Sequence, residues 1–259
     1  MAKLKDMFSQ AQRAQSGGGM GFLGKNKSDY KPRASAIVVE FPSVTPGGTE
    51  AALKAGANGV LFSWNASSSE DLDDIKKEIE SGKAINESLV SGLHVTAGWD
   101  ALDRESLAQL KEYGIQYIVL PLSAPAQLLA LETKELEKVI TVPMRSGELY
   151  PIIIRSLSSV DGISAVLLDF HLPKDIASLS IEDILQYQAV REAVRYPGLL
   201  HVQGDISEAD IHTLKTLELQ ALILAASSTE ETTKQIKALG ELLAQIYQEE
   251  KDTSSPTTR

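Results

Sequence analysis

Residues 51–63, Ala-Ala-Leu-Lys-Ala-Gly-Ala-Asn-Gly-Val-Leu-Phe-Ser, decide how this chain is read. An alanine- and leucine-rich stretch of helix-forming residues meets Gly56, which stops a helix by taking a left-handed conformation at its C-terminal end. Gly59 to Ser63 then forms a short, continuous apolar run, the signature of a strand buried on both faces of a parallel sheet. The same order recurs along the chain. Apolar runs at 36–41, 59–63, 93–97, 117–121, 139–143, 165–170, 199–203 and 221–225 read as strands. Between them, 70–81, 103–113, 181–195, 208–217 and 230–248 carry helical spacing, and Tyr113-Gly114 and Pro197-Gly198 repeat the glycine turn.

Eight strands, each followed by a helix or a helix-like connection, are the count of an α/β (β/α)8 TIM barrel. A doubly wound open sheet uses the same unit and is the competing architecture. No GxGxxG follows the first strand and no GxxxxGK[ST] occurs anywhere, which favours the barrel. The barrel domain is expected over 34–248. Residues 1–33 form a basic leader, with an amphipathic helix over 2–15 followed by a glycine-rich stretch at Gly17-Gly18-Gly19. Residues 249–259 form a charged tail, expected to fray.

Composition narrows the chemistry. The 259 residues include no cysteine, so disulfides, thiolate metal sites and cysteine nucleophiles are excluded, and a reducing, cytoplasmic setting is expected. The net charge of −10 argues against nucleic-acid binding by the body of the protein. The leader runs the other way, with seven basic residues against Asp6 and Asp29. Its helix is short enough to need a surface. Two are open: the floor of the barrel itself, or a partner or second copy contacted through residues 1–24. Membrane attachment is disfavoured, because one weak helix anchors poorly.

The turn Ala51–Val60 resembles the A-x-x-A-G-A-D-G-V helix-to-strand turn of the phosphate-binding (ribulose-phosphate-binding-like) TIM-barrel superfamily, and residues 201–228, HVQGDISEADIHTLKTLELQALILAASS, resemble its strand-7 and strand-8 unit. The resemblance implies a phosphate held by backbone N–H groups after those two strands. Gly204 matches the first position. Ala225-Ala226-Ser227-Ser228 replaces the usual Gly-Ser of the second, and a Cβ there obstructs close approach. The same phosphate site would have to hold FMN in a flavin barrel, and the missing glycine weakens that reading.

In a barrel, function is argued from the C-terminal strand ends. Those ends carry Glu40, Ser63, Thr96, Pro121, Arg145, Asp169 with His171, Gln203 with Asp205, and Ser227. Glu40, Asp169 and His171 are the candidate acid–base residues. Arg145, Gly204, Ser227 and Ser228 are the candidate anion holders, with Arg145 offering a planar fork. Asp205, with Glu40 and Asp169, is the candidate set for a divalent metal ion. Structural roles compete with each. Glu40 and Arg145 could pair with one another; Asp169 could cap its own loop; Ser207 reads as the N-cap of the following helix. His94 and His201 lie inside strand patterns and read as barrel-layer residues, and Trp64 and Trp99 as packing under loops. No lysine occupies a strand end, the nearest being Lys174, which disfavours Schiff-base chemistry. The expected function is a lyase- or isomerase-like enzyme acting on an anionic, phosphorylated or unphosphorylated metabolite. The alternative is a non-catalytic barrel scaffold that binds a partner through its leader.

Overall fold

The computed structural model describes residues 3–13, 31–68, 71–131, 136–145, 150–173, 176–203 and 205–254. Gly204, Lys174 and the glycine-rich stretch of the leader lie outside the described residues. Eight parallel strands close into a barrel in sequence order. They are β1 (Ala36–Phe41), β2 (Gly59–Asn65), β3 (Val90–Ala97), β4 (Tyr117–Pro121), β5 (Glu137–Pro143), β6 (Ala165–Asp169), β7 (Gly198–Val202) and β8 (Ala221–Ala225). Helix α1 (Lys3–Gln12) precedes them. The connections carry α2 (Gly48–Ala55), α3 (Leu72–Ile85), α4 (Arg104–Glu112), α5 (Gln127–Ala130), α6 (Tyr150–Arg155), α7 (Ile181–Val194) and α8 (Glu208–Lys215), and α9 (Thr229–Ser254) follows β8. The barrel is thus the (β/α)8 form, and the open sheet is excluded by the β8–β1 pairing.

The turns follow the glycine reading with one exception. Gly56 (φ 111°) and Gly114 (φ 87°) take the left-handed conformation expected of them. Before β7 that conformation falls on Arg195 (φ 55°), and Gly198 is instead the first strand residue, with the Arg191 side chain packed beside it. α9 continues to Ser254, beyond the expected start of the tail. Where Ser207 was expected to cap α8, its hydroxyl accepts from Asp210 N–H while the Asp210 carboxylate accepts from Ser207 N–H.

Strand register sorts the inward-facing side chains into layers. Glu40 pairs with Leu61, and Leu61 with Gly92. Two residues further along β3 stands His94. The same step of two strands across and two residues on leads from His94 through Val119 and Val139 to Thr141. It leads next through Leu167 and Leu199 to His201, and finally through Ile223 and Val38 back to Glu40. The circuit closes after a stagger of eight residues, as an eight-stranded barrel of this type requires. Glu40, His94, Thr141 and His201 therefore form one layer, contributed by the four odd strands. The layer beneath, from the even strands, is Leu61, Val119, Leu167 and Ile223, all buried. Lower still, the Tyr117 ring fills the barrel against Gly92, where an added Cβ would lie 2.3 Å from it.

α1 closes the N-terminal end. Leu4, Met7, Phe8 and Ala11 are buried in one cluster with the inward-facing residues of all eight strands. Met7 Sδ sits where a Cβ on Gly59 would fall, and Leu4 N–H donates to Glu137 Oε2 (2.8 Å). Of the two surfaces open to the leader helix, its apolar face takes the barrel floor and is not available to a partner. Leu4→Ala is expected to cost about 2–4 kcal/mol in chemical denaturation, as for other buried leucines. Deleting residues 1–13 should lower the melting temperature at unchanged oligomeric mass. A truncated barrel that melts at the full-length temperature would show that α1 is not a structural floor.

Candidate functional site

The sequence pattern of β1, Ala-Ile-Val-Val-Glu-Phe, places one carboxylate in an otherwise apolar strand. Alternation puts Ile37, Val39 and Phe41 in the outer core under the helices and leaves Glu40 facing inward. The side chain is 9% exposed, so every lone pair it cannot share with water needs a donor. Three residues supply them. Ser63 Oγ donates to Glu40 Oε1 (2.9 Å), His94 Nδ1 lies 2.7 Å from the same oxygen, and His201 Nε2 lies 2.5 Å from Oε2. The two imidazole rings are inclined by 26° to one another, with centroids 6.1 Å apart, and both remain partly exposed.

Burial pushes the Glu40 carboxyl group up, but the hydrogen bonds and positive potential of His201 and His94 outweigh it and hold the group well below the usual carboxylate range. An ionised carboxylate only accepts, so His94 must carry its proton on Nδ1 and His201 on Nε2. In the neutral rings this leaves His94 Nε2 and His201 Nδ1 as acceptors. Beneath the site, burial first and the Glu40 charge second raise the Tyr117 phenol above its ordinary value, so it stays a neutral donor, reaching Val60 O (3.3 Å).

The structure brings together only part of the expected set. Glu40 is central, whereas Asp169 and His171 form their own pair (Nδ1 to Oδ1, 3.1 Å) at the rim. Register places Asp169 one layer above Glu40, with Ser63, Pro121 and Ala225, but the left-handed backbone at His171 (φ 50°) turns that ring outward, 77% exposed. Asp205 is an exposed residue ahead of α8, and among the described residues the group able to share a metal ion is Glu40, His94 and His201. Arg145 does not pair with Glu40; its guanidinium lies over the Tyr150 ring (5.9 Å). At the start of α9, Ser227 N–H donates to Thr232 Oγ1, Ser228 Oγ accepts from Glu231 N–H, and Ser227 Oγ donates to Glu231 Oε2. That helix start already holds its own anion. Lys138 is buried but faces outward near the base of β5, donating to Leu129 O and Leu131 O, so no lysine amine joins the mouth among the described residues.

No family model matches the chain, and no curated protein matches it in sequence. Among solved structures, it is similar to N-(5'-phosphoribosyl)anthranilate isomerase from Pyrococcus furiosus, with 17% identity, a TM-score of 0.56 and coverage of 81% of this chain and 99% of that one. It is also similar to tryptophan synthase from M. tuberculosis (12%, TM-score 0.58, 82% and 92% covered) and to the YdjI aldolase from Escherichia coli (15%, TM-score 0.51, 81% and 91% covered). At these identities the likeness establishes the fold.

Because the folded-state pKa of Glu40 lies below its unfolded value of about 4.3, the group's contribution is fully present above that value and is lost as the pH falls through the depressed one. Urea titrations of the wild type and Glu40→Gln in metal-free buffer should therefore show a stability gap in favour of the wild type at pH 6 that narrows by pH 3. A gap that stays constant or widens on acidification would contradict the assignment of a held carboxylate.

Proposed function

We propose that this protein is a small-molecule enzyme of the lyase or isomerase class that moves a proton on an anionic metabolite at the C-terminal mouth of its barrel. The observation that carries the reading is the buried Glu40 carboxyl group bonded to two imidazoles side by side, His94 through Nδ1 and His201 through Nε2. A carboxylate–imidazole pair orients the ring, which suits His94 and His201 to take up and return a proton. Glu40 itself, held well below the usual range, serves as the orienting anion rather than the base. The solved structures of similar fold include an isomerase of a phosphoribosyl compound and an aldolase, which supports this class of chemistry. Asp169, one layer above Glu40, is placed to meet the outer part of a substrate.

Arg145, beyond the end of β5 and carried over Tyr150, is the anion clamp in this reading. The α9 start is a poorer phosphate site, since Glu230 and Glu231 occupy its first turn. A non-catalytic barrel is the second reading, and one observation favours it: Ile152, Ile153, Ile181 and Leu185 leave apolar surface exposed on α6 and α7.

The test is proton exchange. Incubated in deuterated water with a panel of sugar phosphates and 2-oxo acids, the wild type should label at least one compound, read by NMR. His94→Gln and His201→Gln should slow labelling by about 100-fold or more while the protein stays folded. Arg145→Lys should raise KM for that compound, through loss of bidentate contact, with little change in melting temperature. No labelling of any compound by folded wild type would favour the scaffold reading.

A further inference from the structure

We propose that Glu40, His94 and His201 bind a divalent first-row transition-metal ion of the zinc type, with its open coordination position facing the barrel mouth. The proposal goes beyond the functional reading above at the same site: with an ion bound, the two imidazoles would serve as ligands rather than as proton carriers.

Three observations meet there. The first is the donor set. One carboxylate oxygen and two imidazole nitrogens, from three different strands, lie within 4.8 Å of one another. Two imidazoles and a carboxylate, without thiolate, are a combination that holds zinc or another transition ion and leaves room for a water or substrate oxygen. In a tetrahedral site with bonds of about 2.0–2.1 Å, neighbouring ligand atoms stand about 3.3 Å apart. The present Glu40–His94 and Glu40–His201 separations of 2.7 and 2.5 Å, each to its own carboxylate oxygen, are shorter, so the carboxylate has to draw back as the two imidazole nitrogens settle to that spacing.

The second observation is charge. Glu40 is a buried carboxyl group, and among the described residues no lysine or arginine forms an ion pair with it. Its partners are two histidines and a serine, all of which can be neutral. Ligating imidazoles give up the ring protons they share with the carboxylate, and a dication would then supply the positive charge that the buried side chain needs.

The third is the fourth member of the layer. Thr141 stands on β5, across the barrel from Glu40, and its Oγ1 is buried with no hydrogen-bond partner among the described residues. The other three positions of that ring supply the ligands. Ser63, bonded to Glu40 Oε1, would fix the carboxylate's orientation from behind.

Calorimetric titration of the chelator-stripped full chain with zinc chloride, and visible spectroscopy with cobalt chloride, test the site. One ion per chain is expected, with the absorption bands of a four-coordinate cobalt ion. His94→Gln and His201→Gln should each weaken zinc binding by more than about 100-fold, beyond what losing a supporting hydrogen bond costs. The surface variant His212→Gln should bind like the wild type. Thermal melts of the stripped proteins establish that each variant folds, and Glu40→Gln, which keeps the shape of the side chain, provides a third ligand variant. Absence of binding by the wild type, or binding that survives in folded His94→Gln and His201→Gln, overturns the proposal. The two readings separate cleanly. Proton exchange that is unaffected by stripping in a protein that binds no zinc retains the enzyme and removes the metal. A one-to-one zinc site in a protein that labels no compound retains the metal and removes the proton-transfer reading.

Discussion

A carboxylate inside a β-barrel has to be surrounded by donors before the barrel can close around it, and that requirement organises this molecule. Glu40 is buried, and it accepts from Ser63, His94 and His201, which come from β2, β3 and β7. None of these contacts is local in sequence. They exist only when all eight strands are in register with a total stagger of eight residues, since that stagger brings positions 40, 94, 141 and 201 to one height. A one-residue slip of any odd strand would turn its member of the layer outward into the helical shell. The site therefore reports on the closure of the whole barrel, and the barrel's closure is the condition for the site.

The rest of the interior is arranged around that polar ring. Beneath it the barrel is dry: Leu61, Val119, Leu167 and Ile223, then Tyr117 packed over Gly92, then the floor supplied by Leu4, Met7 and Phe8. Above it lie Ser63, Asp169 and the exposed rim. This one-sided polarity lowers the effective dielectric behind Glu40 while leaving the imidazoles accessible from the mouth, which strengthens every interaction within the site. α1 belongs to the same design. By sealing the far end, it keeps water from reaching the carboxylate from below.

The fold was legible because strands buried on both faces advertise themselves as short apolar runs. The strands over Ala36–Phe41, Tyr117–Pro121 and Ala221–Ala225 coincide with their runs to the residue. The site was legible only in part. Glu40 stands out as a charge within such a run, but His94 and His201 could be recognised as barrel-layer residues without any sign that their layer was also Glu40's. That fact lies in the shear, which no single strand encodes. Asp169 and His171 looked like site residues because they end a strand, yet the chain turns left-handed at His171 and carries the ring out to solvent. The start of α9 shows the opposite case. Its departure from the glycine pattern was visible as Ala225-Ala226, and the structure supplies the chemistry of that departure: the helix caps itself with Ser227, Ser228, Glu231 and Thr232.

At the centre of this barrel one carboxylate holds two histidines in opposite tautomers. Nitrogen-15 NMR of imidazole-labelled, metal-free protein near neutral pH measures this directly. A proton is expected on Nδ1 of His94 and on Nε2 of His201, with both assignments lost in Glu40→Gln. Both rings carrying the proton on Nε2 alone, or tautomers unchanged in Glu40→Gln, would contradict it.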